Sequence, residues 1–471
     1  MKKLLFAAAA AALTFTSCTD LPSNGNGKAP ETVPAGALFA NATMNYYDLA
    51  SVQNVNTNNL RLWAQHWTQT TYVDESNFAL NERDVNGNTY YYIYTALLRD
   101  CAEARAAVQA DGNIGAAELA NAEATIDVME VLGYMYLVDL FGDVPYSEAL
   151  DASTNVPAYD NDADIYANLM ERLDAAATTL ASGGSNSFGS SDIVYGGDAA
   201  AWAKAANSLL LRMAVRIADV DATNAKMYGE TAISNGVFTS SADDMRLQYS
   251  SEPPHTHPMW VTLVQSGRTD YIASSTLGDV MNAFADPRRA GFFNALGGSD
   301  SVIGAAHGYQ SDYYQHSQPG SYWEAAAGSH AAVDYTEVEF LLAHAAVEGW
   351  TGAGDAGTHY DAAVTASIEY WGGTSADATT YLAQAGVAWD ATDYENLIGT
   401  QKWIAMHTNV AEAYNTIRQY NVPTAVAALA GTETPTRWTY PLDEYSLNSA
   451  SVAAANGGSD DSFDLVFWDA N

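Results

Sequence analysis

The sequence is poor in basic residues. It has 19 lysines and arginines, of which only six are lysines, against 56 aspartates and glutamates, and its formal net charge is -37. A surface of this charge repels phosphate groups and anionic lipids, so the composition argues against nucleic acid as a partner and against docking on a membrane through basic patches. Two interpretations of the acidity remain open: an ordinary acidic surface, or adaptation to strong salt, which screens the repulsion between acidic groups.

Cysteine is also scarce, and its position is informative. The chain has only Cys18 and Cys101. Cys18 ends the segment MKKLLFAAAAAALTFTSC, whose basic start and apolar run predict a secretory signal peptide over residues 1–17. The cysteine at its end resembles the lipobox of bacterial lipoproteins, which implies that Cys18 is lipidated. A lipidated Cys18 leaves Cys101 without a disulfide partner, so we expect Cys101 to be a small buried side chain on a helix.

Long apolar segments are absent after the predicted signal peptide. No later stretch offers eighteen consecutive apolar residues, so we expect a protein that is anchored to a membrane by its lipid and does not span it. Residues 18–40 are polar and rich in glycine and proline, which predicts a flexible tether. The length of the chain suits one large helical domain or two to three smaller ones.

Helical periodicity dominates this folded part. Apolar residues recur at three- and four-residue steps over residues 93–108 and 119–140, which predicts an antiparallel helical hairpin. A second hairpin is predicted over residues 165–180 and 198–217, the latter with Asp198 as its cap. Further helices are predicted over residues 222–235, 334–348, 358–371 and 392–420.

Residues 237–333 lack sustained periodicity. They are rich in tyrosine, histidine, glycine and proline, which predicts a long insertion of loops and short strands. Loops of this length commonly carry function. Together with the hairpins, the pattern predicts a mainly α-helical fold of tetratricopeptide-like hairpins with a loop-rich insertion.

Several motifs occur in the order that one protein family shows. Residues 141–146 read FGDVPY at the end of a long helical pattern, and four more stretches follow: DNDADIYANLMERLDAA, YTEVEFLLAHAAVEGW, IGTQKWIAMHTNVAEAYNTIRQYNVP and PTRWTYPLDEYSLN. Together with the lipobox, these motifs resemble the SusD/RagB family of nutrient-binding outer-membrane lipoproteins.

The resemblance implies a single SusD-like helical domain over residues 41–471. It also implies a lipid-anchored protein at the cell surface, on the outer membrane. Such proteins capture oligosaccharides, or in some cases peptides, and pass them without catalysis to a SusC-type TonB-dependent channel. The matching motifs are scaffold elements, so the resemblance supplies no ligand residues.

Candidate ligand residues are therefore chosen by their chemistry. A sugar binder needs aromatic rings that stack on the apolar face of a pyranose and polar groups that bond its hydroxyls. Two loop segments supply this mixture, with Trp67, Tyr72, Asn77 and Arg83 in the first and Tyr309, Tyr313, Tyr314, Tyr322 and Trp323 in the second. The alternative for any single ring is that it packs against the core.

Signals for metals and catalysis are weak. His255 and His257 have a metal-like spacing but no further ligands nearby, and the alternating acids Asp160, Asp162 and Asp164 lack the glycine and distal glutamate of a calcium loop. The sequence contains no G-x-S-x-G, H-E-x-x-H or P-loop motif. We therefore expect no metal, no cofactor and no catalytic residues.

Two other classes of protein remain open from the residues alone. A helical, acidic secreted chain could be an (α/α)-barrel glycoside hydrolase, which needs two carboxylates about 5 to 10 Å apart across a cleft. Such an enzyme would release sugar products. A purely structural tetratricopeptide-like adaptor would bind no small ligand at all.

The acidic surface leads to a prediction about salt. The formal net charge of -37 produces self-repulsion, and the Debye length falls from about 10 Å at 0.1 M salt to about 3 Å at 1 M. We therefore expect the melting temperature, followed by circular dichroism, to rise with sodium chloride. A melting temperature that is flat or falls between dilute buffer and molar salt would contradict adaptation to salt.

Overall fold

Helices form most of the described structure. The computed structural model describes residues 33–423 and 433–470. Its α-helices are α1 (Ala35–Ser51), α2 (Leu60–Trp63), α3 (Val85–Tyr92), α4 (Arg99–Ala110), α5 (Ala116–Phe141), α6 (Asp162–Leu180), α7 (Ala199–Arg216), α8 (Ala222–Asn235), α9 (Pro258–Trp260), α10 (Ser275–Ala283), α11 (Arg289–Phe292), α12 (Tyr335–Val347), α13 (Ala356–Tyr370), α14 (Ser375–Leu382), α15 (Tyr394–Ala405), α16 (Val410–Tyr420), α17 (Glu444–Leu447) and α18 (Ser449–Ala454). Two π-helical segments, Ile93–Leu98 and Val261–Gln265, join α3 to α4 and extend α9. The predicted mainly α-helical fold is confirmed.

Consecutive helices pair along the chain, as the sequence pattern predicts. α5 packs against α4 and α6, α7 packs against α6 and α8, and α12 packs against α13. Side chains fix several helix starts: Asp198 accepts hydrogen bonds from Ala200 N at 2.9 Å and Ala201 N at 3.3 Å, and Asp334 accepts one from Glu337 N at 2.8 Å. These caps satisfy backbone donors that have no partner within the helix.

The FGDVPY turn joins the end of α5 to the C-terminal part of the chain. Gly142 has a φ of 77°, which is strained for a residue with a side chain, and a Cβ at this position would lie 2.4 Å from Asn456 Oδ1 and force Asn456 to move. The Asp143 carboxylate accepts hydrogen bonds from Asp162 N and Asn456 N, both at 2.8 Å, and the Asp143 carbonyl oxygen accepts one from Tyr440 Oη at 2.6 Å. The turn therefore fixes the start of α6 and the segment around residue 456 on the end of α5.

Two small antiparallel sheets lie in or beside the loop-rich region. β1 (Trp67–Gln69) pairs with β3 (Tyr271–Ala273), and β2 (Met245–Gln248) pairs with β4 (Ser329–Val333). In the first sheet, Trp67 lies opposite Ala273 and Gln69 opposite Tyr271. This pairing brings the segment after α2 next to the middle of the predicted insertion.

The N-terminal boundary differs from the sequence prediction. α1 begins at Ala35, so residues 35–40, which the sequence assigns to the tether, are helical. The signal peptide, Cys18 and residues 19–32 lie outside the described residues. Among the residues that the structure describes, no helix is long and apolar enough to cross a membrane.

Cys101 is fully buried in α4, as the sequence predicts for a small side chain on a helix.

Six buried charged side chains connect five helices. Arg212 Nε donates to Glu337 Oε1 at 2.8 Å, and Lys402 Nζ lies 3.7 Å from both Glu337 Oε1 and Glu412 Oε2. Arg216 pairs with Glu412 and with an aspartate of α5. Burial alone would raise the pKa of the Glu412 carboxyl, but the charges of Arg212, Arg216 and Lys402 hold that pKa below its ordinary value. The six members of this charge network are Asp139, Arg212, Arg216, Glu337, Lys402 and Glu412.

Replacement of Glu412 by glutamine tests the charge network. Glu412→Gln keeps the side-chain volume but removes the negative charge opposite Arg216 and Lys402. Loss of one partner from a buried ion pair costs about 3 to 5 kcal/mol, so we expect the free energy of unfolding in urea to fall by that amount. The control is Glu395→Gln at an exposed position of α15, which should change stability by less than about 0.5 kcal/mol. An unchanged urea midpoint for Glu412→Gln would contradict the role of the network.

Candidate ligand-binding surface

The structure brings the two predicted ligand segments together. Ser311 N donates to Thr70 O at 3.0 Å, and Gly308 N donates to Thr68 Oγ1 at 3.1 Å. Gly308 O in turn accepts a hydrogen bond from Asn77 Nδ2 at 2.8 Å, although Gly308 lies 231 residues further along the chain. The loop after β1 and the loop around residues 305–316 therefore form one continuous surface.

Exposed tyrosines occupy both loops. Tyr72 and Tyr314 are each 71% exposed, and Tyr309 is 47% exposed. The ring of Tyr313 is half-buried and meets the ring of Tyr314 edge to face, with the ring centroids 5.3 Å apart. Large aromatic side chains that stay in water on neighbouring loops are typical of a binding site. We call Tyr72, Tyr309, Tyr313 and Tyr314 the tyrosine surface.

Local backbone contacts set the positions of these rings. Tyr72 has a φ of 52°, a left-handed conformation that is unusual for a residue with a side chain and is found more often at functional sites. Asp312 Oδ1 accepts a hydrogen bond from Tyr314 N at 2.8 Å, and the Asp312 carbonyl oxygen accepts one from His316 Nδ1 at 2.8 Å. These two bonds close a short 3₁₀ turn, Tyr313–Gln315, whose first two residues carry the paired rings.

Asn77 and Arg83 hold the first loop in place. Arg83 forms an ion pair with the buried carboxylate of Glu75, and its Nη1 lies 3.7 Å from Asp74 Oδ2. Gln69 Nε2 also donates to Glu75, at 2.7 Å from Oε2. Asn77 Nδ2 donates to two backbone carbonyl oxygens. Nη1 of Arg83 and Nδ2 of Asn77 therefore hold the first loop in position, while the Arg83 side chain remains 29% exposed.

Three of the predicted ligand residues lie in or against the core. Trp67 and Trp323 are 0% and 2% exposed, and their rings meet edge to face at 5.5 Å. Tyr322 is half-buried, donates to Ser329 O at 2.9 Å and packs 4.8 Å from the ring of Trp371. Neither tryptophan offers a free ring face, so the structure removes both from the candidate surface. Helical periodicity could not indicate this burial, because the two rings pack against each other although they are distant in sequence.

A charged pair beside the tyrosine surface was not predicted from the sequence. Asp270 O accepts a hydrogen bond from Thr70 N at 2.8 Å, and Arg268 Nε donates to Asp270 Oδ2 at 2.6 Å. The Arg268 side chain is 43% exposed. A guanidinium and a carboxylate near exposed rings are suitable partners for hydroxyl groups. Their position follows from the pairing of β1 with β3, which no local sequence signal indicates.

Two open grooves lie outside the tyrosine surface. One has a volume of about 340 Å³ and includes Asp48, Asn54 and Tyr92. Burial raises the pKa of Asp48 in this groove to about 6, against the opposing effects of a hydrogen bond from Tyr249 and the charge of His255. The other groove has a volume of about 220 Å³ and is lined by residues between positions 286 and 317. None of the predicted ligand residues lines either groove.

The architecture defines a class of protein built from helical hairpins with a loop-rich face, and sequence comparison identifies the family. The profile of the SusD-like family, described as starch-binding and associating with the outer membrane, matches residues 27–441. The chain therefore belongs to the SusD-like family. No curated protein sequence is significantly similar to this chain.

Solved structures agree with the family assignment. A chitin-binding protein is 27% identical to this chain with a TM-score of 0.80, and the match covers 93% of this chain and 100% of the other. A chitin-binding SusD homologue from Flavobacterium johnsoniae is 23% identical with a TM-score of 0.80, over 93% and 99% of the two chains. A SusD-like protein from Bacteroides thetaiotaomicron is 23% identical with a TM-score of 0.78, over the same shares. The last two similarities establish the fold alone.

Proposed function

We propose that this protein is a cell-surface lipoprotein that binds an oligosaccharide on its tyrosine surface and delivers it, without catalysis, to a SusC-type TonB-dependent channel. The observation that carries the proposal is the exposure of Tyr72, Tyr309 and Tyr314 on two loops that hydrogen bonds hold together. Membership of a family described as starch-binding and associating with the outer membrane supports the same function.

The chemistry of the surface suits a sugar ligand. The apolar C–H face of a pyranose packs against an aromatic ring, while the tyrosine hydroxyl remains in water. Arg268 and Asp270 can donate to and accept from the sugar hydroxyls. Each stacked ring contributes about 0.5 to 1.5 kcal/mol, so an open site of a few rings predicts micromolar to millimolar affinity. Such an affinity allows the ligand to be released to a channel.

Chitin oligosaccharides are the first ligands to test. The solved structure that is 27% identical to this chain is a chitin-binding protein. An N-acetylglucosamine unit offers a pyranose face for stacking and an acetamido group that both donates and accepts hydrogen bonds. Starch oligosaccharides, which the family description names, are the second set, and short peptides are the third.

Alanine variants of the exposed tyrosines test the site. Tyr72→Ala and Tyr314→Ala should each raise the Kd for the bound oligosaccharide about tenfold, because each removes about 1.4 kcal/mol of stacking. Both side chains are 71% exposed, so the melting temperature should change little. Isothermal titration calorimetry gives the Kd, and chromatography of the sugar after prolonged incubation shows whether the protein cleaves it.

Two control variants separate binding from stability. Tyr228→Ala removes a partly exposed tyrosine from α8, outside the tyrosine surface, and should leave the Kd unchanged. Trp323→Ala removes a buried ring and should lower the free energy of unfolding by about 3 to 5 kcal/mol. Unchanged affinity in both exposed-tyrosine variants would refute the assignment of the site. Shortened sugar products would refute a role without catalysis, and binding of peptides alone would replace the sugar as the ligand.

Cys18→Ala tests the lipid anchor. Each buried methylene of an acyl chain contributes about 0.8 kcal/mol to membrane binding, so a multiply acylated Cys18 should retain the protein in washed outer membranes. The alanine variant should appear in the soluble fraction or accumulate unprocessed, as followed by immunoblot. Retention of Cys18→Ala in washed membranes from cells that lack SusC-type channels would contradict anchoring at this residue.

A further inference from the structure

Arg61 is a buried arginine in contact with two tryptophan rings. Arg61 is 0% exposed, and its Cζ lies 4.7 Å from the ring centroid of Trp67 and 4.2 Å from that of Trp323. Cation–π contacts of this kind stabilise a buried positive charge. They do not, however, provide acceptors for the N–H groups in the plane of the guanidinium.

Only one end of this guanidinium is hydrogen-bonded. Nη1 donates to the carbonyl oxygen of His407, while Nε and Nη2 have no hydrogen-bond partner among residues 33–423 and 433–470. Nε and Nη2 form the side-on edge of an arginine, where two N–H bonds point toward one anion. The same edge of Arg288, which is also fully buried, donates to the carboxylate of Asp286 at 2.9 and 2.6 Å. Arg61 therefore presents an anion-binding edge in the interior.

The titratable groups around Arg61 do not neutralise its charge. They are Tyr322 and four histidines, and no carboxylate of the described chain forms an ion pair with Arg61. Burial, followed by the charge of Arg61, lowers the pKa of His257 to about 3, and the same two causes hold the pKa of His66 well below its ordinary value. These rings are therefore neutral at physiological pH. A buried cation without a counter-ion is costly.

Further N–H donors surround the same guanidinium. Nε1 of Trp67 and Nε1 of Trp323 have no hydrogen-bond partner in the described part of the chain. Nδ1 of His66 and Nδ1 of His407 lie 3.2 Å apart, so one of the two must accept the hydrogen bond. The accepting ring is neutral and therefore carries its proton on Nε2. Nε2 has no described hydrogen-bond partner in either histidine. Several N–H donors without a described partner therefore lie in this part of the core, together with one positive charge that no carboxylate neutralises.

We propose that the Nε–Nη2 edge of Arg61 binds a small inorganic anion, chloride in ordinary media, inside the folded protein. Chloride supplies both a negative charge and an acceptor that takes several N–H bonds at once. A water molecule would satisfy the N–H groups but leave the charge uncompensated. This site is separate from the tyrosine surface and does not depend on the proposed function.

The choice of salt separates chloride binding from general screening. Sodium chloride and sodium gluconate at equal ionic strength screen the acidic surface equally, but gluconate is too large for a position in the core. We expect the mature full-length chain to melt at a higher temperature in chloride. Above the Kd, each tenfold increase in chloride should increase the folding equilibrium constant tenfold.

Bromide provides a direct readout of the same site. Because bromide resembles chloride in charge and size, crystals grown in sodium bromide should show an anomalous scattering peak beside Nε and Nη2 of Arg61. This measurement uses the unchanged protein and so remains decisive if a variant fails to fold.

A pair of variants assigns the effect to Arg61. Arg61→Met should abolish the difference between chloride and gluconate while the response to ionic strength remains. Ile404→Val trims a fully buried side chain and leaves Arg61 in place, so this destabilised control should keep the difference. Equal melting temperatures of the unchanged protein in the two salts would overturn the proposal, as would bromide-grown crystals without a peak at Arg61.

Discussion

The charge network between the helices is the interaction on which the rest of the structure depends. Removal of a charged side chain from water costs several kcal/mol per ion, and this cost is recovered only when each charge lies close to groups of the opposite sign. The members come from α5 and α7 in the first half of the chain and from α12, α15 and α16 in the second. A displaced helix would leave a buried charge unpaired, so the network fixes how the two halves of the chain pack.

The network also positions the loop-rich region. Arg212 Nη2 donates to Ala332 O at 2.7 Å, and Asn409 Nδ2 donates to the same oxygen at 3.1 Å. Ala332 lies in β4, which pairs with β2 and closes the region of residues 237–333. The charged core therefore holds the C-terminal end of this region, while hydrogen bonds from Gly308 N and Ser311 N to the segment Thr68 to Thr70 hold together the loops that carry the tyrosine surface. Their fixed geometry limits the conformational entropy that a ligand would have to remove.

The sequence predicted the helices well because their signals are local. An apolar stripe and a capping side chain such as Asp198 lie within a few residues of the boundary that they determine. Exposure in the loop-rich region has no such local signal. Trp323 and Tyr314 occur in the same aromatic-rich stretch, yet the first packs against Trp67 in the core and the second is 71% exposed. Which ring is buried depends on strand pairing and loop contacts across more than half of the chain.

The turn after α5 also determines the order in which the chain can complete its fold. Asp143 bonds to Tyr440 and Asn456, which follow it by 297 and 313 residues. A chain that is synthesised from its N-terminus produces the turn long before these partners exist. Contacts so distant in sequence also form late once the whole chain is free, because a large loop must close first. A nascent chain therefore cannot complete the contacts at the end of its longest helix until its C-terminal segment has been made.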